Sequence, residues 1–378
     1  MMRILQVLPH LSKGGAERVV IELSNALIDK GHDVTLLLAS QVNPILNQQY
    51  LSEGVLVKVV SLKNQNRFLP YFLLPIWFVK HRKLLRTYDV VHCHLTYGLV
   101  FGFIFSVFRK FENLTNVRLI ATCHVVGISI SRVPRFINEK LSVFFDAFVL
   151  MAMDNQWRRF IARKKIVNIQ VVANGISPLS APNCSSNLAS IHKQKCEQIT
   201  QKNVLTIGTI SRLQSERKPW LFLEVFAEVQ KSMDLEVHFI LGGEGPERGS
   251  LIKIAEQLEL SKNLTMLGLV QDPRAVLATL DLYITLNVEE ITGIAGLEAI
   301  FAGIPVVGIQ LAQDYTSGQE DWIWSDQNPQ IVGREIATYL RSPKQLQAIA
   351  TSQFSLADKK YSLTRMLEDY LALYRPQK

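Results

Sequence analysis

Residues 286–307 read LNVEEITGIAGLEAIFAGIPVV, and this segment indicates the fold most clearly. An apolar strand over 282–286 leads into a loop. A helix follows Gly293, and Gly303 ends that helix before Pro305 opens the next strand. This order of strand, loop, helix and strand is typical of an open α/β sheet, in which ligands bind outside the carboxyl ends of the strands. We therefore predict an α/β protein with a ligand site at this loop.

The same segment contains groups that suit a phosphorylated sugar. Gly293 and Ile294 begin the helix, where backbone N–H groups have no intrahelical partner and attract an anion. Glu290 precedes the helix and Glu298 lies inside it, so one carboxylate can face each end of a ligand. A nucleotide sugar has hydroxyl groups on both sides of a phosphate and fits this arrangement.

Strands and helices alternate through most of the 378 residues, a length sufficient for two domains. We predict a Rossmann-like domain over 1–176, a connection over 177–203, a second α/β domain over 204–355 and a final helix over 356–378. The connection is rich in Ser, Asn, Gln and Lys and has no sustained apolar period. Hydrophobic residues make up 48% of the chain and charged residues 20%, which indicates a globular protein.

Two places in the first domain have the composition of a ligand site. Gly14 and Gly15, in the motif GGAER, allow the backbone to approach a ligand at a helix N-terminus. Histidines end two later strands, His92 and His94 in DVVHCH and His124 in ATCH. A lone histidine at a strand end is more often structural than catalytic, so interior positions for His92 and His94 stay open.

The second domain begins with a cluster of basic residues. SRL at 211–213 is followed by RKP at 217–219, which supplies Arg212, Arg217 and Lys218. Arginine binds phosphate oxygens in a bidentate fashion, whereas lysine acts as a point charge. A solvated basic loop is the alternative interpretation.

The chain resembles the retaining glycosyltransferases of family 4, the group 1 transferases, in four features. These are GGAER, the strand-end His124, SRL with its basic pair, and two glutamates eight apart, the second of which begins EAxxAGxPVV. The resemblance extends over nearly the whole chain. It implies the GT-B fold, in which two facing Rossmann-like, doubly wound domains have a cleft between them. It also implies transfer of a hexose, with retention, from a nucleoside diphosphate sugar (UDP or GDP) to a sugar or lipid-linked acceptor, in cell-surface polysaccharide biosynthesis.

The resemblance assigns roles to individual residues. In the family an arginine and a lysine five residues later neutralise the diphosphate, but here Arg217 occupies the lysine position and Lys218 follows it, so that role stays open between the two. His124 is expected to hydrogen-bond a hydroxyl of the sugar, and the loop at Leu269 to meet the base. The residues expected to act in catalysis are Glu290, His124, Arg212, Lys218 and Arg217, and those expected to bind the donor are Gly14, Gly15, Gly293, Ile294, Glu298 and Leu269.

The resemblance implies no metal and no cofactor besides the donor substrate, because cationic side chains can replace a metal at the diphosphate. Two alternatives to a transferase stay open. One is a non-catalytic GT-B nucleotide-binding scaffold, and the other is a GT-B sugar-nucleotide epimerase.

The net charge of +8 is concentrated in the first domain, where residues 60–170 contain 17 Lys and Arg against 5 Asp and Glu. This excess indicates an anionic partner. Residues 67–86 mix aromatic and basic side chains, as helices at an anionic membrane surface do. The alternative is that the apolar residues form core and the charges a solvated face. No recognised nucleic-acid module is present, so nucleic acid is not an expected partner.

Four cysteines without metal-ligand spacing indicate a reduced protein. No signal peptide is recognised, and the longest apolar runs are shorter than the roughly 20 residues of a membrane-spanning helix. We therefore expect a cytoplasmic protein. Peripheral attachment to the inner face of the cell membrane stays open.

Overall fold

The computed structural model describes the following residues: 1–11, 14–40, 51–61, 69–124, 138–153, 155–164, 168–177, 204–287, 293–310 and 325–375. The chain divides into two compact units, one comprising Met1–Ile176 with Tyr361–Lys378 and the other Ser177–Lys360. Each unit is built on a parallel sheet accompanied by helices, which confirms the predicted α/β class.

The strands of the first unit are β1 (Arg3–Leu8), β2 (Asp33–Ser40), β3 (Leu56–Ser61), β4 (Val90–His94), β5 (Arg118–Cys123), β6 (Ala147–Leu150) and β7 (Ile169–Val171). Its helices are α1 (Gly15–Asp29), α2 (Leu69–Leu85), α3 (Leu95–Phe111), α4 (Asn155–Lys164) and, from the end of the chain, α11 (Leu363–Tyr374). The sheet order is β3-β2-β1-β4-β5-β6-β7.

The strands of the second unit are β8 (Val204–Ile210), β9 (Glu236–Gly242), β10 (Leu264–Gly268), β11 (Leu282–Asn287), β12 (Val306–Gln310) and β13 (Ser325–Asp326). Its helices are α5 (Trp220–Ser232), α6 (Arg248–Gln257), α7 (Pro273–Thr279), α8 (Ile294–Phe301), α9 (Pro329–Leu340) and α10 (Pro343–Tyr361). The sheet order is β10-β9-β8-β11-β12-β13.

Burial explains why the central strands read as almost continuous apolar runs. Every residue of β1 except Arg3 is buried, and all five residues of β4 are buried. Strands of a parallel sheet that is covered on both faces have no solvent-facing row of side chains. The polar residues in these strands, Gln6, His92 and His94, are therefore held in the interior.

Both sheets reverse their strand order at one position. In the first unit the chain proceeds from β1 outwards to β3 and then returns to β4 on the other side of β1. In the second unit β8 and β11 have the same relationship. Ligands of open α/β sheets bind at the carboxyl ends of the strands beside such a switch point. The loops that follow these four strands contain most of the predicted site residues.

The end of the chain forms two helices, α10 and α11, with Ser362 between them. Within the first unit, the Ile176 N–H donates to the Tyr361 carbonyl, and the Leu363 N–H donates to the Ile176 carbonyl. Gly175 lies against Ser362 so closely that a Cβ there would clash with the Ser362 carbonyl oxygen. Gly175 and Ile176 therefore hold the end of the chain on the first unit.

Two details differ from the sequence-based expectation. The short strand β13 was not predicted, because two residues are too few to show a periodic pattern. The predicted boundary at 356 falls inside α10, and the two units divide between Lys360 and Tyr361. Of the predicted connection over 177–203, residues 178–203 lie outside the described residues.

The two longest apolar runs of the sequence lie in α2 and α3. In the part of the chain that the structure describes, no helix combines the length and the apolar character required to cross a lipid bilayer.

Candidate active site

In the first unit, the carboxyl ends of β1, β4 and β5 bring polar residues together. His94 ends β4 and His124 directly follows β5. His94 Nδ1 lies 2.9 Å from His124 Nε2, and His94 Nε2 lies 2.8 Å from Oε1 of Gln6 on β1. The Gln6 amide donates to Ser24 Oγ on α1, at 3.0 Å. All four side chains are buried, so they form one interior hydrogen-bonded line.

Burial also determines the charge of these rings. Desolvation lowers the pKa of His124 to about 4, and it lowers the pKa of His94 well below the usual 6.5. The neighbouring His92 and His124 lower the pKa of His94 further. Both rings are therefore neutral near pH 7. Among the described residues, His124 Nδ1 is buried and has no hydrogen-bond partner. An unsatisfied buried polar atom costs about 1–3 kcal/mol, so this atom is a candidate ligand contact.

His92 belongs to a separate set of hydrogen bonds. Its ring nitrogens lie 2.8 Å from the Tyr374 hydroxyl and 2.7 Å from Thr122 Oγ1, and Thr122 in turn lies 2.9 Å from the Tyr370 hydroxyl. Tyr370 and Tyr374 are on α11. This set joins β4 and β5 to the last helix, which gives His92 an interior, structural position.

Gly14 and Gly15 lie at the carboxyl end of β1, where α1 begins. Gly14 is the N-cap residue of α1 and contributes no side-chain cap. The Glu17 side chain occupies the place that a Cβ on Gly14 would take. His10 Nδ1 lies 3.4 Å from a Glu17 carboxylate oxygen. The N-cap residue at the predicted glycine motif thus contributes only backbone to the start of α1.

In the second unit, Tyr283 holds the end of β8. Its hydroxyl donates to the Ile210 carbonyl and accepts from the Ile210 N–H, both at 3.1 Å. Burial raises the pKa of Tyr283 to about 12, and the negative charge of the nearby Glu298 contributes to that increase. Tyr283 therefore fixes the residue from which the loop with Arg212 departs.

The turn after β9 supports the same loop. The Ser211 N–H donates to the Gly242 carbonyl at 2.9 Å, and the Leu213 N–H donates to the Glu244 carbonyl at 3.0 Å. Gly243 has φ +133°, and a Cβ there would clash with the Ser211 carbonyl oxygen. The glycines of the segment LGGEGPER thus permit close backbone packing against the Arg212 loop.

Arg217 and Lys218 differ in their surroundings. Arg217 ends a short 3-10 turn (Ser215–Arg217) and is partly buried, whereas Lys218 is exposed. Burial lowers the pKa of Arg217, the positive charge of Arg212 lowers it further, and Glu216 opposes this change. Two guanidinium groups are therefore near each other. Lys218 has φ +44°, in the left-handed region.

The helix α8 supplies the predicted anion site. Gly293 is its N-cap and provides no side-chain cap, and Ile294 is its first residue. A Cβ on Gly293 would meet no described atom within 4 Å. Glu298 is buried within the helix. Glu290 lies outside the described residues, so its predicted role stays a prediction.

Leu269 follows β10 at the edge of the second sheet. Gly268, with φ +69°, turns the chain after the strand, and the Gly268 carbonyl accepts from the Gly243 N–H at 2.7 Å. Leu269 is exposed. It is therefore open to a ligand, as its predicted place beside the base requires.

Among the described residues, no group of three His, Cys, Asp or Glu side chains is arranged to hold a metal ion.

The basic, aromatic segment of the first unit is partly core and partly surface. Trp77 and Phe78 of α2 are buried and pack on Phe101, with ring centroids 5.8 and 4.7 Å apart. The opposite face is exposed and has Phe72 (77% exposed), Ile76 (68%) and Val79 (63%), followed by the exposed Lys80 and Lys83. We call these five residues the α2 face. Residues 67 and 68 of the segment lie outside the described residues.

Sequence reasoning missed three residues that shape these sites. Gln6 and Ser24 hold His94, and Tyr283 holds β8. The available signal was a polar group inside a mostly apolar strand, the Gln6 amide in RILQVL and the Tyr283 hydroxyl in LYITLN. A polar side chain at a buried strand position requires a hydrogen-bond partner, although the sequence does not say which one.

Two family models match the chain. Residues 13–178 match the model described as Glycosyltransferase Family 4, and residues 191–350 match the one described as Glycosyl transferases group 1. Together they extend over both units.

Individual relatives are more distant. The chain is 25% identical over 325 residues to a subunit of human phosphatidylinositol N-acetylglucosaminyltransferase, an alignment that covers 79% of this chain and 59% of the relative. The chain thus spans less than two thirds of that protein. A second relative is GalNAc-alpha-(1->4)-GalNAc-alpha-(1->3)-diNAcBac-PP-undecaprenol alpha-1,4-N-acetyl-D-galactosaminyltransferase of Campylobacter jejuni. The chain is 23% identical to it over 367 residues, which cover 88% of this chain and 85% of the relative.

A solved structure shares the fold. The crystal structure of HepE from Anabaena in complex with UDP and glucose superimposes with a TM-score of 0.73 at 19% sequence identity, covering 98% of this chain and 99% of HepE. At this identity the similarity shows the fold alone.

Proposed function

Since this chain belongs to the group 1 glycosyltransferases of family 4, which have the GT-B fold, we propose that it transfers a hexose from a nucleoside diphosphate sugar to an acceptor hydroxyl. The observation that carries the proposal is the arrangement at the switch point of the second sheet. Arg212 and Arg217 follow β8, and the N-terminus of α8, which has no side-chain cap, follows the adjacent β11. Both groups attract an anion, and they leave neighbouring strands on the same edge.

The diphosphate of the donor would occupy this edge. Arg212 and Arg217 would neutralise the charge that grows on the diphosphate as the sugar leaves, which is electrostatic catalysis. The N–H groups at Gly293 and Ile294 would bind a phosphate or sugar oxygen. Glu298 would accept hydrogen bonds from the ribose hydroxyls, and the exposed Leu269 would lie beside the base.

In the first unit, His124 would bind a hydroxyl of the transferred sugar. Its low pKa keeps the imidazole neutral near pH 7, so it acts as a hydrogen-bonding group and not as a cation. Gly14 and Gly15 would allow the N-terminus of α1 to contact the donor phosphate. Glu290 would contact the sugar hydroxyls. The configuration at the anomeric carbon would be retained, with no protein nucleophile attacking that carbon.

The names of similar proteins support a base and an acceptor class. HepE was solved with UDP, which supports UDP as the nucleotide here. The human relative is named for transfer to phosphatidylinositol, and the Campylobacter relative for transfer to an undecaprenol-linked glycan. We therefore assign this chain a lipid-linked or glycan acceptor, and a role in building a cell-surface polysaccharide.

The α2 face supports contact with a membrane that holds such an acceptor. Phe72, Ile76 and Val79 lie three to four residues apart on one side of the helix, so they project together. Lys80 and Lys83 follow them, and cationic side chains near the surface attract anionic lipid by about 1 kcal/mol each. Apolar residues with adjacent lysines are the composition of an interfacial helix.

Nucleotide binding tests the proposal first. We expect UDP at a hundred times its Kd to stabilise the protein by about 2.7 kcal/mol. This corresponds to a rise in Tm of several degrees. Glu298→Gln should weaken that effect, whereas Glu256→Gln, an exposed position on α6, should not. Turnover of the UDP-sugar with formation of an α-linked product from an α-linked donor, measured by NMR, then tests retention.

Two results would contradict the proposal. If UDP, GDP, ADP and TDP all leave the Tm unchanged, the second unit is not a nucleotide site. If a nucleotide binds in a manner dependent on Glu298 but no donor sugar is transferred to any glycan or lipid-linked acceptor, the chain is a non-catalytic relative. Interconversion of sugar epimers in place of transfer would identify an epimerase.

A further inference from the structure

The hydrogen bonds that end at His124 have a single direction. The Ser24 hydroxyl donates to the Val20 carbonyl of α1 at 2.7 Å, so Ser24 Oγ accepts from the Gln6 amide. The Gln6 NH₂ group therefore faces Ser24, and its carbonyl oxygen faces His94 Nε2. This oxygen can only accept, so His94 Nε2 has the proton.

The direction continues to the next ring. A neutral imidazole has one N–H and one acceptor nitrogen, so His94 with a protonated Nε2 has an acceptor Nδ1. His124 Nε2 lies 2.9 Å from this Nδ1 and must supply the proton between them. His124 is consequently the Nε2–H tautomer, and its Nδ1 is a bare lone pair.

The opposite direction is disfavoured by the same contacts. It would require His94 Nε2 to accept from Gln6, and hence the Gln6 amide to be reversed with its oxygen towards Ser24. The Ser24 hydroxyl would then have to donate to Gln6 and release the Val20 carbonyl. The observed geometry therefore satisfies every donor and acceptor from the Val20 carbonyl to His124 Nε2 only when His124 donates to His94 and His94 donates to Gln6.

We propose that Ser24, Gln6 and His94 are positioning residues that hold His124 in the Nε2–H tautomer, so that Nδ1 selects a hydroxyl group of the donor sugar. The inference rests on the proposed function, because it assigns the sugar as the group that meets Nδ1. A hydroxyl can donate to a lone pair, whereas a carbonyl or carboxylate oxygen cannot. The first unit thereby requires a hydrogen-bond donor, which we assign as a hydroxyl, at one position of the sugar ring.

Nitrogen NMR of the full-length protein with labelled histidines tests the tautomer directly. Long-range proton–nitrogen correlations distinguish a protonated from an unprotonated ring nitrogen, and His124→Gln identifies the His124 signals. We expect Nδ1 of His124 to be unprotonated. In Gln6→Met, which removes the acceptor for His94 without a large change in volume, we expect Nδ1 to shift towards the protonated form. A merely structural role for Gln6 would not change this signal.

Thr122→Val is the matched control. Thr122 is buried in β5, close to His124 in sequence, and it contacts His92 and Tyr370 but is not part of the line from Ser24 to His124. Its replacement removes two buried hydrogen bonds of the same unit. We expect a loss of stability in this variant with no change in the His124 tautomer.

Kinetics test the consequence for the substrate. A series of monodeoxy UDP-sugars, each with one hydroxyl replaced by hydrogen, identifies the hydroxyl that meets Nδ1. We expect the kcat/KM of the wild type to be about tenfold or more lower for the donor that lacks this hydroxyl. Gln6→Met should lose most of this discrimination, and Thr122→Val should keep it. Equal use of every deoxy donor by the wild type would overturn the inference.

Different results would contradict the proposed function and the proposed role of Ser24, Gln6 and His94. A protonated Nδ1 in the wild type, or a tautomer that Gln6→Met leaves unchanged, overturns the role of the line of hydrogen bonds whatever the activity. Absence of transfer from any nucleotide sugar in the wild type contradicts the proposed function, while the NMR result still reports the tautomer. If Gln6→Met does not fold, the wild-type NMR spectrum and the deoxy-sugar series decide the question.

Discussion

His94 Nδ1 and His124 Nε2 lie 2.9 Å apart, and both rings are buried in the first unit. Two imidazoles at this distance share one proton between them only while at least one ring is neutral, because a cationic imidazole has no acceptor nitrogen. Burial lowers the pKa of both rings, so both are neutral near pH 7. His92 packs beside them, with its ring centroid 4.0 Å from that of His94. Three neutral histidines therefore lie together in the interior.

This cluster predicts how stability depends on pH. The folded pKa of His124 is about 4, and those of His92 and His94 are also lowered, against about 6.5 in an unfolded chain. Between about pH 4 and 6.5 the unfolded chain binds more protons than the folded one. Stability is thus fully present above pH 6.5 and decreases as the pH falls towards 4. We expect a loss of a few kcal/mol across this window, measured by urea unfolding.

The control is a variant with fewer buried histidines. His92→Gln keeps a polar side chain at a position with two hydroxyl partners, Tyr374 and Thr122. The decrease in unfolding free energy from pH 7 to pH 5 should be smaller in this variant than in the wild type. An equal decrease would show that other groups cause the pH dependence.

Alanine variants of Arg217 and Lys218 should distinguish the catalytic roles of these two residues. Arg217 is partly buried and close to Arg212, whereas Lys218 is exposed. Removing one preorganised group that stabilises developing charge reduces kcat by about 10²–10³-fold, and we expect a loss of this size for Arg217→Ala. Lys218→Ala should reduce kcat by less than about fivefold, the range of a surface charge. Steady-state kinetics with the UDP-sugar measure both, and the reverse ranking would assign the family's lysine role to Lys218.

Gly243→Ala should weaken donor binding, although Gly243 is not one of the residues proposed to contact the donor. The residue has φ +133°, where a side chain costs about 1–3 kcal/mol, and the new Cβ would clash with the Ser211 carbonyl oxygen. We expect Tm to fall by roughly 5 °C at about 2–4 °C per kcal/mol, and the affinity for UDP to fall with it, because Ser211 adjoins Arg212. Differential scanning fluorimetry with and without UDP measures both effects.

Gly249→Ala provides the comparison for that variant. Gly249 lies in α6 of the same unit, and a Cβ there would meet no described atom within 4 Å. Alanine in a helix is favoured over glycine by about 0.5–1 kcal/mol, so Tm should rise slightly and UDP binding should stay unchanged. A fall in Tm as large as that of Gly243→Ala would mean that the backbone conformation of Gly243 is not the cause.

The α2 face predicts binding to anionic lipid. The wild type should sediment with vesicles that contain phosphatidylglycerol and less with pure phosphatidylcholine. Lys80→Glu with Lys83→Glu should reduce this binding about tenfold or more, since each charge contributes about 1 kcal/mol. Phe72→Ser with Ile76→Ser should also reduce it. Leu235→Ser, an exposed apolar residue of the second unit, should have no effect. Absence of vesicle binding by the wild type at low salt would contradict membrane contact.

The sequence was sufficient for the α/β class and for most strands. A strand was predicted over 282–286 and β11 is observed at Leu282–Asn287, because a strand that is buried on both faces is largely apolar along its length. The places where ligand loops follow strands could also be predicted, since parallel strands direct their carboxyl ends to one edge of the sheet. The motifs at 14–18 and 286–307 were informative for this reason.

The partners of buried polar groups were decided only by the tertiary structure. Gln6 and Ser24 are separated from His94 and His124 by long stretches of chain, and nothing local links them. The choice between Arg217 and Lys218 likewise depends on burial and on the distance to Arg212, and a one-residue step in a turn does not reveal either. Local pattern encodes which residues are apolar and where elements end, whereas hydrogen bonds between strands depend on which strands become neighbours. Sheet order brings β1, β4 and β5 side by side, and only that order gives His124 its partner and its tautomer.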